Sequence, residues 1–463
     1  MLKFLKKFVR SFVGNVKQKY DAAQTNRDNA SAWRNADNYS PDAANTPEVR
    51  RTLRNRARYE TANNSYARGL VLTLADACIG TGARLQMLTT DAKFNSVVET
   101  EFTAWAEAIV LGEKLQTMRK AKCVDGEAFG VMIRNPRVHG DVKIDLRIIE
   151  ADRVTTPYPD FKQKVDGINY DKYGNPISYT ILKEHPGDSF LGKILSETET
   201  VSANFVIHWF RKDRAEQSRG ISELTSVLPL FSQLRRYTLA VIAAAETAAD
   251  FAAVIHTNMP ANGEAAAVEY GKHIELEKRT ATVLPEGWNI DQIKAEQPQT
   301  TYQMFKREIL TEIGRCMNTP ANIILGDSSN YNYASGRLDH QTFFRSIKIE
   351  QNSCDNFVLY PLLSVWYADA VNVGIVPEKI DVAEIKKYAK FFYDGHEHVD
   401  PIKEAKAAAE RINAKISNLA IENARLGNDW EEVVEQFARE QKKLKTLGID
   451  EKVQPTENKQ PKT

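Results

Sequence analysis

The sequence predicts an α+β protein that is predominantly helical, and three observations carry the prediction. Residues 221 to 255 form one long apolar and alanine-rich stretch that reads as a continuous helix. A second stretch, Thr301 to Asn318, places Tyr302, Phe305, Ile309, Ile313 and Cys316 at the 3-4-4-3 spacing of a helix face. Between them and the N-terminus, Val131 to Arg134, Val142 to Ile149, Ile177 to Leu182 and Phe205 to Phe210 are alternating or β-branched runs that read as strands of an antiparallel sheet.

Composition sets the outer bounds. At 463 residues the chain exceeds the usual span of one hydrophobic core, so two or more subdomains are expected. Hydrophobic residues at 42% and charged residues at 27% fit an ordinary soluble globular protein. Lys and Arg number 62 against 61 Asp and Glu. That balance argues against a protein whose task is to grip nucleic acid tightly, which needs a marked basic excess. Cys78, Cys123, Cys316 and Cys354 lie far apart without CxxC spacing and read as reduced, mostly buried thiols. No apolar run reaches the roughly 18 residues of a membrane span.

The elements follow in order. Residues 1 to 20 hold six Lys/Arg and no acid, with Leu5, Phe8, Val9, Phe12, Val13 and Val16 on one helical face. They read as a basic amphipathic helix; docking on the protein's own assembly is favoured over a membrane surface. Residues 21 to 49, rich in Asn, Ala, Asp and Pro, read as an extended arm. Arg50, Arg51, Arg54, Arg56 and Arg58 lead into a helix that runs to about Cys78. This cluster suits phosphate binding, or a solvated or inter-subunit face paired with acids on a neighbour. Gly80-Thr81-Gly82 is a turn, since it lacks the spacing of a nucleotide loop. Phe94 to about Lys120 reads as helical, and Tyr173-Gly174-Asn175-Pro176 as a turn between strands.

The long helix has a slender half: eight of the fourteen residues from Ala240 to Ala253 are alanine. Its span from Leu230 to Ile255 would be about 39 Å long. Residues 258 to 298 then form an excursion too long for a simple helix connection, with strands at His273 to Leu276 and Thr280 to Leu284 and a turn at Pro285-Glu286-Gly287. Thr319-Pro320 closes the second helix. A polar loop runs from Gly326 to Gly336, and a third helix from Arg337 to about Leu359. Leu362 to Val371 continues helically, Lys379 to Phe392 is a strand or loop, and Asp400 to Leu447 reads as a charged helical pair broken near Gly427-Asn428-Asp429. The polar segment from Glu451 to Thr463 reads as disordered.

Gly326-Asp327-Ser328 with Asn332-Tyr333-Ala334-Ser335-Gly336-Arg337 resembles the tunnel-loop motif of lambda-type portal proteins of tailed phages. Three other stretches agree in the family's order: Arg54-x-Arg56-x-Arg58 with Asn63-Asn64, Gln217-Ser218-Arg219-Gly220, and Asp400-Pro401-Ile402-Lys403-Glu404. The resemblance implies a portal-protein fold with wing, stem, clip and crown regions, assembled as a ring of about twelve subunits. Its implied division is residues 1–49 as N-terminal helix and arm, 50–219 as wing, 220–257 as stem helix and 258–298 as clip. Residues 299–325 become the second stem helix, 326–336 the tunnel loop, 337–398 the tunnel helix and its return to the wing, 399–450 the crown, and 451–463 the tail.

The function implied is a channel at one capsid vertex, through which the terminase motor packages double-stranded DNA and the genome later leaves. Partners implied are further copies of the chain, DNA, the terminase large subunit, major capsid and scaffold proteins, and head-completion or neck proteins. The location implied is the virion, after assembly in the host cytoplasm; no cofactor and no membrane partner is implied. Asp327, Ser328, Ser329, Asn330, Tyr331, Asn332, Tyr333, Ser335 and Arg337 are the expected channel residues. Glu264, Glu269, Lys272, Glu277 and Lys278 are the expected clip contacts, and Ala244 and Ala248 the expected ring-packing positions.

Catalytic readings are weaker. Asp125 with Glu127, Asp141 with Asp145, and His396-Glu397-His398 between Asp394 and Asp400 offer carboxylates and histidines for metal-assisted hydrolysis, as a nuclease would need. The spacing does not match HExxH, and no Walker A or GxSxG sequence is present. A basic-armed adaptor acting through residues 1–20 and 50–58 is a further reading, but neither alternative explains residues 220–361.

Overall fold

The computed structural model describes residues 30–156, 165–188, 197–250, 254–257, 288–291, 299–329, 332–395 and 401–447. The expected N-terminal amphipathic helix and the C-terminal tail lie outside these residues.

Local signals start the first helices. Thr46 accepts a hydrogen bond from Val49 N and Pro47 occupies the first helical position, so α1 runs Pro47–Asn63. Asn64 closes it and caps α2, Ser65–Ile79, by accepting from Tyr66 N and Ala67 N. Strand β1, Arg84–Met87, follows. The helical stretch read over Phe94 to about Lys120 comprises two helices, α3 Ala92–Ala108 and α4 Leu111–Asp125. The break falls at Val110, whose left-handed φ of 53° no helix interior accepts.

The sheet region forms as expected from alternation, with more strands than the sequence disclosed. Strands β2 Glu127–Arg134 and β3 Ile144–Ile149 pair antiparallel. Strands β4 Ile168–Tyr170, β5 Pro176–Leu182 and β6 Thr198–Ser202 make a second antiparallel sheet in that order. Strand β7, Val206–Phe210, returns to pair with β2. An isolated bridge, Val154 to Ile181, ties the two sheets together. Phe129, Ile149, Tyr179 and Ile181 are buried between them.

The helix expected over residues 221 to 255 is shorter at both ends. Helix α5 spans Leu228–Asp250, preceded by a 3-10 turn at Thr225–Val227. Pro229 has no N–H to donate and fits only the first turn, which fixes the start. At the other end Val254–Thr257 is strand β8, paired with β9, Trp288–Asp291. The chain returns as α6, Gln299–Cys316, then a short α7, Ala321–Leu325. Helix α8 is Tyr333–Cys354, four residues earlier at its start than expected, followed by a π-helical segment at Asp355–Leu359 and by α9, Tyr360–Asn372. Strand β10, Ala389–Phe392, pairs with β1. The expected charged helical pair is three helices, α10 Pro401–Asn413, α11 Leu419–Arg425 and α12 Trp430–Thr446.

Two helical cores result. Phe102, Trp105, Trp366 and Tyr367 centre one, joining α3, α4 and α9 beneath β2 and β7. Leu70, Phe231, Leu310, Ile313, Phe343 and Ile347 centre the other, joining α2, α5, α6 and α8. Each such side chain contributes about 1.5–3 kcal/mol by leaving water, so the three long helices around the polar loop have a common anchor. Cys78, Cys123 and Cys354 are buried as expected, whereas Cys316 is exposed.

Candidate functional site

The polar loop between α7 and α8 is shorter than the sequence implied. Gly326, at a φ of 63°, ends α7 in the left-handed conformation that glycine adopts without strain. Asp327 N donates to Asn322 O at 3.1 Å, and Asp327 Oδ1 accepts from Ser329 N at 2.9 Å. That local turn lowers the pKa of the Asp327 carboxyl. Asn332 O accepts from Gly336 N, so Asn332 sits at the helix boundary, a position its side chain type favours. Tyr333, Ser335 and Arg337 therefore belong to α8, and Gly336 lies within a helix and cannot act as a flexible loop end. Asp327, Ser328, Ser329, Asn332 and Arg337 are exposed; Asn330 and Tyr331 lie outside the described residues.

Helices α5 and α6 are held together by an aromatic seam. The Tyr237 ring lies 4.7 Å from Phe305 and 5.7 Å from Tyr302, and Thr238 Oγ1 is 3.2 Å from Tyr302 Oη. Beyond the seam, β8 and β9 pair Val254 with Asp291 through Thr257 with Trp288. The excursion between residues 257 and 288 thus departs from and returns to one point. Glu264, Glu269, Lys272, Glu277 and Lys278, and the two short strands expected near them, lie outside the described residues. On the outer faces, Leu239 and Ile242 of α5 and Met304 of α6 are exposed, and Phe305 remains 47% exposed. Ala244 is half-buried, and nothing is described of the Ala248 side chain.

The start of this helical unit is clamped by buried charge that the sequence reading missed as a group. Glu127, at the start of β2, is fully buried. Its carboxylate accepts from Arg219 Nη2 at 2.6 Å and Nε at 2.9 Å, and from Gly220 N at 3.0 Å. His208 Nε2 lies 3.1 Å away, with its ring stacked 4.2 Å from that of Phe129. Burial opposes ionisation of Glu127, yet Arg219 and His208 outweigh it and hold the carboxyl well below the usual range. Burial in turn lowers the His208 imidazole. Arg219 Nη1 also donates to Val154 O and Asp166 O, at 3.0 and 2.6 Å. The Gln217-to-Gly220 motif is thus a structural pin ahead of α5.

The basic cluster of α1 serves the same clamp. Arg50, Arg54 and Arg58 recur every four residues and share one helix face. Arg50 pairs with Asp166 and Arg54 with Asp152, both at 2.7 Å, and Arg58 makes two hydrogen bonds to Asp125 at 2.8 and 2.7 Å. Both expectations for this cluster, phosphate binding and pairing with a neighbour's acids, are corrected for these three residues: their partners are acids of the same chain. Arg51 and Arg56 remain exposed. The expected extended arm is docked at its end, since Asp42 accepts from Ser218 N at 3.0 Å and Asn45 is buried.

A second buried network joins α4 to α8. Arg119 donates twice to Glu223 at 3.1 Å, and Lys122 pairs with Glu350 while its ammonium lies 4.6 Å over the Trp209 ring. Trp209 Nε1 donates to Ser353 Oγ at 3.0 Å. The helix that follows the polar loop is therefore fixed to the sheet region at its far end.

Four carboxylates of the nuclease reading are engaged elsewhere within the chain. Asp125 and Glu127 face guanidinium groups, and Asp145 is engaged by Lys114 and Asn135. Asp394 accepts from Thr81 N at 2.6 Å, while residues 396–400 lie outside the described region. One grouping that the sequence did not disclose brings Glu150, Asp152 and His185 together, with ligand atoms within 4.8 Å of one another. Arg58 Nη2 already stands 2.9 Å from Asp152 and 3.4 Å from Glu150, so the cation serving these carboxylates is the guanidinium. Among the described residues no helix is long and apolar enough to cross a membrane.

Residues 26–351 match the family model described as phage portal protein, lambda family. A relative from Halomonas phage phiHAP-1, named a probable portal protein, is 24% identical over 435 residues, covering 86% of this chain and 81% of the relative. Similar solved structures include the neck of an empty GTA particle computed with C6 symmetry, with a TM-score of 0.47 and 14% identity over 81% of this chain and 93% of that one. Another is an HK97-family phage portal protein from Corynebacterium diphtheriae, with a TM-score of 0.28 and 15% identity over 74% and 96% of the two chains. The family match spans well over half of the sequence, the polar loop included: the chain belongs to the lambda family of phage portal proteins.

Proposed function

We propose that this portal protein closes into a ring at one capsid vertex and that double-stranded DNA passes through its centre. The observation that carries the reading is the order of α5, a hairpin-based excursion, α6, α7, a short polar loop and α8 within a chain of this family. A closed ring needs heterologous contacts, one patch of a subunit meeting a different patch of the next. Leu239, Ile242 and Met304 supply uncovered apolar surface on the paired helices where such contacts can form.

In this reading residues 50–219 are the wing, α5 and α6 the stem, and α10 to α12 the crown. The segment from 258 to 298 is the clip that meets the terminase large subunit and, later, neck proteins. Its departure and return through β8 and β9 support a projecting position. Capsid and scaffold proteins would meet the outside of the ring, assembled in the host cytoplasm before it enters the virion. The loop around Asp327 to Asn332 lines the channel. Lys and Arg contacts to phosphate release counterions and bind duplex tightly, which would stall transport. A loop with Asp327 as its one charged residue offers weak polar contacts instead.

Electron microscopy of the purified full chain tests the reading. Rings with a central hole are expected. A stable monomer at micromolar concentration would overturn the ring, and metal-stimulated cleavage of plasmid DNA would reinstate an enzyme.

A further inference from the structure

Helix α12 is divided electrostatically along its length. Asp429, Glu431, Glu432 and Glu435 lie at its N-terminal end, and Arg439, Lys442, Lys443 and Lys445 in its C-terminal half, where the one acid, Glu440, accepts from Gln436 Nε2 at 2.8 Å. The acidic end closes over α3. Between the two helices is a cavity of about 400 Å³ lined by Glu99 and Glu107 of α3 and by Asp429, Glu431, Glu432 and Glu435. Arg84, at its edge, is committed elsewhere, to Gly427 O and to Asp394 at 3.4 Å. Six carboxyl groups thus share one cavity, where Asp429 caps α12 by accepting from Glu431 N and Glu432 N and Glu99 accepts from Met87 N. Burial, together with Asp429, Glu431 and Glu432, pushes the Glu99 carboxyl up to about 7.

The same helix leaves apolar surface uncovered. Val433, Val434, Phe437, Leu444 and Leu447 are all exposed, Phe437 by 60% and Leu447 by 62%. Most of these share one face at helical spacing. The four cations of the C-terminal half are also exposed. Lys442, Lys443 and Lys445 cannot serve their own helix's acidic end, because Lys442 is seven residues from Glu435, about 10 Å along the axis; Arg439, four residues from Glu435, is within its reach.

We propose that the basic C-terminal half of α12 docks at the acidic cavity of a second copy of this chain, covering the apolar stripe as it does so. The occupant is a second copy because the missing cations and the uncovered apolar face belong to the same helix that builds the cavity. Acid on one copy meets base on the next, so each copy uses two different patches. The contact is heterologous and propagates around a closed ring. Opposed charge selects partner and register, while burial of Phe437 and its neighbours supplies affinity. The proposal rests on the ring reading and names one contact within it.

Charge reversal tests it in the full-length protein. Lys442→Glu with Lys443→Glu, and separately Glu431→Lys with Glu432→Lys, are expected to raise the concentration needed for half-assembly by about tenfold or more. Combining all four changes is expected to restore assembly, which a merely destabilised helix would not show. Circular dichroism guards against misfolding, and Lys442→Gln with Lys443→Gln is the milder substitute. A second arm places Glu435→Cys and Lys442→Cys together in a Cys316→Ser background. Oxidation should then link copies into ladders, since the two sites are too distant within one helix to bridge. Rings that assemble normally in both reversal variants, or that give no ladder, overturn this contact and leave the ring reading standing. A wild-type chain that stays monomeric overturns both.

Discussion

The Arg219 guanidinium donates two hydrogen bonds of 2.6 and 2.9 Å to the two oxygens of the Glu127 carboxylate, with both side chains buried. The pair joins the first residue of a central strand to the segment that leads into the long helix. Removing one partner of such a pair leaves the other as an uncompensated buried charge, at a cost of about 3–5 kcal/mol.

Glu127→Gln is accordingly expected to destabilise the isolated chain by about that amount, since Arg219 and Arg54 both lose their shared anion. Chemical unfolding of wild type and variant at neutral pH measures it. The wild-type contribution is present above the unfolded carboxyl value and is lost as pH falls through the lower folded value, because folding holds this proton less tightly. The variant should therefore show less acid sensitivity below about pH 4. Equal acid sensitivity in the two proteins would place the dominant titration elsewhere.

Glycine is expected to be irreplaceable at 220 and replaceable at 69. An added Cβ at Gly220 would stand 2.1 Å from the carbonyl oxygen of Gly126, so backbone must move. Gly220→Ala should cost about 3 kcal/mol or prevent folding. Gly69 is exposed within α2 and meets nothing within 4 Å, so Gly69→Ala should stabilise by roughly 0.5–1 kcal/mol through helix propensity. Thermal unfolding of the two variants side by side would show opposite shifts.

Asp355 is expected to set a pH-dependent term in the opposite direction. It lies in the π-helical segment between α8 and α9, accepts from Tyr393 Oη at 2.6 Å, and is pushed up to about 6 by burial. A carboxyl that holds its proton more tightly when folded gives full stabilisation below about pH 4, lost as pH rises through about 6. Asp355→Asn keeps the acceptor for Tyr393 and removes the charge. It should raise stability at pH 7 by about 2 kcal/mol and flatten the profile between those limits. A variant less stable than wild type at pH 7 would mean that the ionised form has a partner that offsets its burial.

The channel proposal is best probed at Ser328, which is exposed in the loop itself, because Asn332 sits at the helix boundary. Ser328→Lys should leave rings intact yet slow packaging, with the defect eased by added salt. Each new phosphate contact adds a counterion-release term of nearly one to the salt dependence. Packaging that proceeds at the wild-type rate at low and high salt would remove this loop from the path of DNA.

Local sequence determined the order of elements, and with it the family. Helical spacing in Tyr302 to Cys316, the alanine-rich run after Ala240, and Thr319-Pro320 are short-range signals, read without knowing what packs against them. The polar loop and the four-part motif order were legible for the same reason. Tertiary structure decided which charges are partners. Arg58 and Asp125 meet across 67 residues, Arg219 and Glu127 across 92, and Lys122 and Glu350 across 228. No periodicity within a segment records such pairings, so a buried clamp read as a basic surface and a metal-ligand pair. Helix limits were decided there too: Val110 and the strand Val254 to Thr257 interrupt patterns that remain helical in composition. Propensities of a few tenths of a kilocalorie per residue yield where packing and strand pairing contribute more.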